Sequence, residues 1–186
     1  DRMMAKAEID YHEEDIRKGN IGSFMLNNPE KANELQKIAV EESRLGIPMI
    51  FALDVIHGFQ TIFPIPLAEA CSFNDCCFEK TAVIASEEAY AHAVRWTFAP
   101  MLDIARDARW GRISESAGED PYLCSRYARA KIRGFQGDGE IHTIAACAKH
   151  FAGYGACEAG RDYNTVSMAK SMFYNSYLPP FAAAVS

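Results

Sequence analysis

Three apolar runs in this chain end on side chains that can bind ligands or move protons. Ile47 to Leu53 ends on Asp54, Thr97 to Leu102 ends on Asp103, and Ile144 to Ala148 ends on the adjacent pair Lys149 and His150. A carboxylate accepts hydrogen bonds or carries a proton, an ammonium donates, and an imidazole does either. Arg112, in Trp110-Gly111-Arg112, adds a guanidinium fork that can hold two hydroxyls or a carboxylate in fixed geometry. Each residue also has a plainer role open to it. Asp54 can cap the backbone N–H groups of its own turn. Arg112 can be a solvated loop residue, and Lys149 can reach solvent while His150 stays in the core. Lys149 and His150 would face opposite ways on an extended strand, so a shared ligand requires the backbone to twist there. Lys149 acting as a Schiff-base amine on a phosphate-bearing substrate is a further reading.

These residues need elements to carry them. Ile21 to Leu26, Ile47 to Leu53, Thr97 to Leu102 and Ile144 to Ala148 read as buried strands. Between them, Asn28-Pro29-Glu30 opens a helix expected to reach Arg44 before Gly46 stops it. Asn74-Asp75 opens one reaching Ala93, and Asp120-Pro121 one reaching Arg133. Ser167 is expected to cap a last helix that Pro179-Pro180 breaks. Long loops run from Val55 to Phe73 and from Ile104 to Glu119, and a glycine-rich loop spans Gly153 to Asp162. Within them His57 reads as fixing its own loop and Trp110 as a core aromatic. Asp103 reads as part of an Asp–Arg network with Arg106, Asp107 and Arg109 that stiffens the second loop. Strands alternating with helices imply a parallel sheet with right-handed crossovers. Polar residues follow successive strands, which favours a TIM-type (β/α)8 barrel over a doubly wound sheet. The expected fold class is therefore α/β, the first half of such a barrel, truncated before its later strands.

Composition narrows the function. The 186 residues are 49% hydrophobic and 24% charged, with a formal net charge of −6, which argues against an electrostatic nucleic-acid binder. The apolar runs fall short of the ~18 residues a membrane span needs. No secretory leader is recognisable, an absence that carries little weight because the sequence opens on Asp1 without an initiator methionine. The six cysteines lack paired C-x-x-C spacing and read as small buried or half-buried residues. No P-loop, dinucleotide fingerprint, Gly-x-Ser-x-Gly elbow or His-Glu-x-x-His occurs, and no metal or cofactor is expected.

The segments resemble the N-terminal barrel domain of glycoside hydrolase family 3, in particular its bacterial β-glucosidases. Ala52-Leu53-Asp54-Val55-Ile56-His57-Gly58 is similar to the family's Asp-x-x-His-Gly block, and Phe63-Pro64-Ile65-Pro66 to the loop after it. Phe98 to Arg112 resembles its longest block, continued by Glu119-Asp120-Pro121-Tyr122. Ala146 to Gly155 resembles its Lys-His-Phe block. The resemblance makes residues 1–186 a partial barrel domain. It implies that Asp54, Arg112, Lys149 and His150 grip the non-reducing terminal sugar, with Asp162 an acidic residue beside them. It further implies retaining hydrolysis of terminal β-D-glucosyl residues. The nucleophilic Asp and the acid/base are expected downstream, with no catalytic residue in this chain. The expected partner is then a β-glucoside or oligosaccharide, with neither nucleic acid nor membrane. The rest of the catalytic domain would be required for activity, and the fragment alone is expected to be inactive. A periplasmic or secreted location is implied by the resemblance alone. Two alternatives stand beside this: a non-catalytic or decayed sugar-binding module, and an N-acetylhexosaminidase of the same family. The hexosaminidase branch carries Pro-Gly-His after Lys-His-Phe, where this chain has Ala152-Gly153-Tyr154.

Overall fold

A computed structural model describes residues 12–139 and 142–186. The Asn28 side chain accepts the Lys31 N–H at 2.9 Å and Pro29 takes the first helical position, which starts helix α1, Pro29–Lys37. Ala32 and Leu35 face inward and pack with Ile16 and Phe51. A π-helical turn, Ile38–Glu42, extends α1, so helical backbone stops short of the expected Arg44, at an extended Ser43.

Strand β1, Ser23–Met25, pairs in parallel with β2, Ile50–Leu53, which pairs in parallel with β3, Trp96–Thr97. The sheet order follows the chain order. All three strands are shorter than their apolar runs. The third is cut most: its last paired residue, Thr97, faces Leu53 where β2 ends, and Pro100 beyond it has no N–H to give a neighbour. The fourth run lies alongside it without forming a regular strand. Thr97 N–H donates to Ala145 at 2.8 Å, Cys147 to Ala99 at 2.8 Å and Leu102 to Lys149 at 2.7 Å. The isolated parallel bridges Trp96–Ala145 and Met101–Lys149 keep its direction. Four parallel runs joined through helices are what the opening of a (β/α)8 barrel requires.

The long loop after β2 holds a helix that the sequence reading missed: α2, Pro66–Ala70, with Pro66 at its first turn. Asn74 caps α3, Asp75–Ala91, and Asp120 caps α4, Pro121–Gln136, through the Leu123 N–H at 2.6 Å. Helices α3 and α4 cross closely at Gly134, where a Cβ would fall 2.4 Å from the Glu79 carbonyl oxygen. Ala82, Ala85 and Ala89 of α3 then meet Phe135 and Ile144 in a core shared with Val55 and Val94. Inside this packing the Lys131 ammonium lies 2.7 Å from the Glu69 carboxylate, joining α4 to α2.

The last helix departs from expectation at both ends. Helix α5, Lys170–Met172, starts after Ala169, and Ser167 does not cap it. A π-helical turn, Phe173–Tyr177, follows, and Pro179 then opens α6, Pro179–Ala184, instead of ending a helix. Proline lacks a donor but suits a first turn, where none is needed.

Candidate functional site

Asp54 follows β2 directly, and its two oxygens take separate partners. Oδ1 accepts the Ile56 N–H at 3.1 Å, and Oδ2 lies 2.5 Å from the Lys149 ammonium. The cap and the site role read from the sequence are therefore compatible in one residue. The turn beyond it is tied down on both sides. Phe63 N–H donates to the His57 carbonyl at 2.8 Å. The Glu88 carboxylate of α3 receives the Gln60 and Thr61 N–H groups, both at 2.8 Å, and the Thr61 hydroxyl at 2.6 Å. Those donations, the Thr61 hydroxyl foremost, hold the Glu88 carboxyl below the usual range. His57 fixes its loop through its carbonyl, and its buried Nδ1 has no hydrogen-bond partner among the described residues.

Lys149 and His150 both serve the same rim. The backbone leaves the extended path there, and the Lys149–His150 peptide is cis. The His150 ring turns to Asp103, with Nδ1 2.8 Å from Oδ2, and its backbone N–H reaches the same oxygen at 2.9 Å. The Asp–Arg network expected around Asp103 is therefore not formed. Asp103 is fully buried beneath the rim and holds His150. It is Asp107 that takes Arg109, at 2.6 Å, and its carboxyl falls to about 2 through that pairing. Sequence reasoning missed this role, although the signal was present: Asp103 closes its apolar run just as Asp54 closes its own.

Arg112 comes from the far side of the second long loop. Its Nε donates to Glu115 at 2.5 Å, its Nη1 lies 3.4 Å from His150 Nε2, and its guanidinium stands 5.5 Å from the centre of the Tyr154 ring. Burial works against the Arg112 charge, but Glu115 and Tyr154 outweigh it and its pKa moves up. Trp110 is a core aromatic, 1% exposed, and donates through Nε1 to Asp162 at 2.9 Å. The Tyr154 ring stands edge-on to both Trp110 and His150, with centroids 5.2 and 5.0 Å apart. Gly155 lets the glycine-rich loop seat here, since a Cβ would lie 2.1 Å from the Ile104 carbonyl oxygen.

The rim thus pairs Asp54 with Lys149 and joins Arg112 to His150 in a cleft with Tyr154, Tyr163 and Val166. Asp162 approaches this group through Tyr154 and Trp110, whose donations hold its carboxyl below the usual range, and among the described residues it forms no ion pair within it. Donors and acceptors of both charges on an open concave edge suit a neutral ligand carrying many hydroxyls.

Residues 3–186 match the model of the glycosyl hydrolase family 3 N-terminal domain. The chain is 39% identical over 173 residues to a periplasmic β-glucosidase of Salmonella typhimurium, covering 91% of this chain and 23% of that protein. A β-xylosidase of Formosa agariphila is 38% identical over 170 residues, covering 84% of this chain and 24% of its own. Among solved structures, a mutant β-glucosidase from Listeria innocua in complex with laminaribiose superposes with a TM-score of 0.87 at 45% identity. That match covers 89% of this chain and 24% of the other. The chain therefore spans about a quarter of the length of these relatives, and its parallel sheet is part of a (β/α)8 barrel.

Proposed function

Because the chain belongs to glycosyl hydrolase family 3, we propose that it forms part of the barrel domain of an exo-acting β-glucosidase and supplies the grip on the terminal sugar. The full-length enzyme would hydrolyse terminal non-reducing β-D-glucosyl residues with retention. In that chemistry one carboxylate attacks the anomeric carbon while a second carboxyl, about 5 Å away, protonates the leaving oxygen. Both carboxyls are assigned to sequence outside residues 1–186. The observation that carries the reading is the rim itself. Asp54 offers an acceptor beside the Lys149 ammonium, and Arg112 and His150 offer donor and acceptor positions across from them. A hexose presents neighbouring hydroxyls that both donate and accept, and such a set can hold several at once. Asp162 would support this rim through Trp110. Ala152-Gly153-Tyr154, in place of Pro-Gly-His, favours glucoside over N-acetylhexosaminide chemistry. The name of the Salmonella relative supports a periplasmic or secreted location. Among the described residues no helix is long and apolar enough to cross a membrane.

Turnover of an aryl β-glucoside by the full-length protein tests the reading. Asp54→Asn should raise KM and lower kcat, because grip on the sugar is also what distorts it toward the transition state. Unchanged kinetics would remove Asp54 from the subsite. Sugar binding with no turnover in the wild-type protein would replace the enzyme reading with a binding module.

A further inference from the structure

Asp103 is the buried charge that the proposed sugar grip leaves unused. Its side chain is 0% exposed, Oδ2 receives both the backbone N–H and the ring Nδ1 of His150, and Oδ1 has no hydrogen-bond partner among the described residues. Burial pushes the Asp103 carboxyl up, opposed by the two His150 donations and the nearby Arg112 charge. On the other edge of the imidazole, Nε2 meets Arg112 Nη1 at 3.4 Å. A guanidinium only donates, so Nε2 must offer its lone pair, which leaves the ring proton on Nδ1. At Nδ1 the Asp103 carboxylate accepts that proton. Both edges of the ring therefore select the same tautomer, and the Tyr154 ring, edge-on at 5.0 Å, limits ring rotation.

We propose that Asp103 is a positioning residue that fixes His150 as the Nδ1-protonated imidazole, so that Nε2 faces the cleft as an acceptor and selects a ligand hydroxyl that donates to it. This rests on the sugar-binding reading above and adds a direction to one of its hydrogen bonds. The Arg112 contact is longer than a strong hydrogen bond of about 2.7–3.2 Å and is readily exchanged. An incoming hydroxyl can take its place at Nε2, and the freed guanidinium N–H can donate to the oxygen of that same hydroxyl.

The test uses the full-length protein with isotope-labelled histidine, the His150 resonances being assigned by loss in His150→Gln. Heteronuclear NMR of the wild type near neutral pH should show a neutral ring protonated at Nδ1. A ring protonated at Nε2, or an imidazolium, would overturn the proposal without need of an Asp103 variant. The second readout is inhibition by monodeoxyfluoro glucoses, since fluorine accepts weakly and cannot donate. One ring position should lose roughly tenfold more affinity than the others, the scale of one hydrogen bond. Asp103→Asn, which removes the charge that biases the ring, should narrow that gap to about two- to threefold. Equal weakening of every sugar by Asp103→Asn would make Asp103 merely structural. If the wild type neither binds nor hydrolyses glucosides, the proposed function fails, and the ring tautomer still decides this inference separately.

Discussion

Lys131→Met should be the most damaging conservative change in the helical layer. Lys131 and Glu69 are 3% and 5% exposed, with Nζ 2.7 Å from Oε2 and 2.9 Å from Oε1. Thr81 joins the cluster through its hydroxyl, 2.7 Å from Nζ, and Tyr127 donates to Glu69 at 3.3 Å. Burial pulls the Lys131 pKa down, and the Glu69 charge works against that pull. At an effective dielectric of about 20, two charges at this spacing attract by roughly 6 kcal/mol, and a desolvation cost of several kcal/mol per ion offsets most of it. The intact pair is thus near neutral for stability, whereas a lone buried carboxylate is not. Removing the ammonium should cost about 3–5 kcal/mol. Lys131→Met/Glu69→Gln should recover most of the loss, since the amide is neutral, its oxygen still accepts from one of the Thr81 and Tyr127 hydroxyls, and its NH2 can donate to the oxygen of the other. Thermal and urea unfolding of the full-length protein measure both variants. A cost below about 1 kcal/mol for the single change would refute this account of the cluster, as would a double variant no better than the single one. Glu69 sits on α2, in the loop that leaves Asp54, so under the proposed function the single variant should also raise KM for an aryl β-glucoside.

Two further outcomes follow from the packing. Gly134→Ala gains helix propensity but sets a methyl against the Glu79 carbonyl and the Ala82 Cβ, at 2.4 and 2.6 Å. Backbone cannot swing aside, so a net loss of about 1–3 kcal/mol is expected in urea unfolding, and a variant as stable as wild type would show that α3 and α4 separate at little cost. Thiol labelling of the native protein, mapped by mass spectrometry, should modify the exposed Cys71, Cys76 and Cys77 quickly. Cys124 is buried, with its thiol pushed up to about 12 by burial, and should react only on unfolding. Early labelling of Cys124 would contradict the packing of α4.

Much of the helical frame was legible because helix starts are local. Asn28, Asn74 and Asp120 cap the helices their sequences announce, each bonding within three residues. Strand ends were less legible. The apolar run through Pro100 reads as continuous, but its pairing with β2 ends at Thr97 because β2 itself ends at Leu53. Helix α2 hid inside a loop because a short helix leaves too few residues for periodicity, although Pro66 at its first position was a usable sign. Asp103 reads as part of a loop network because its arginine neighbours are close in sequence, and the structure gives it His150 instead.

By itself, the sequence settled which side chains close the apolar runs and in what order the elements come. Those properties depend on periodicity, capping and residue type along a few adjacent positions. Only the tertiary structure decided their partners. Asp54 meets Lys149 across 95 residues, Asp103 meets His150 across 47, and Trp110 meets Asp162 across 52. Such pairings are set by parallel strand register and by how closely the loops approach, and neither is a property of any short stretch of chain.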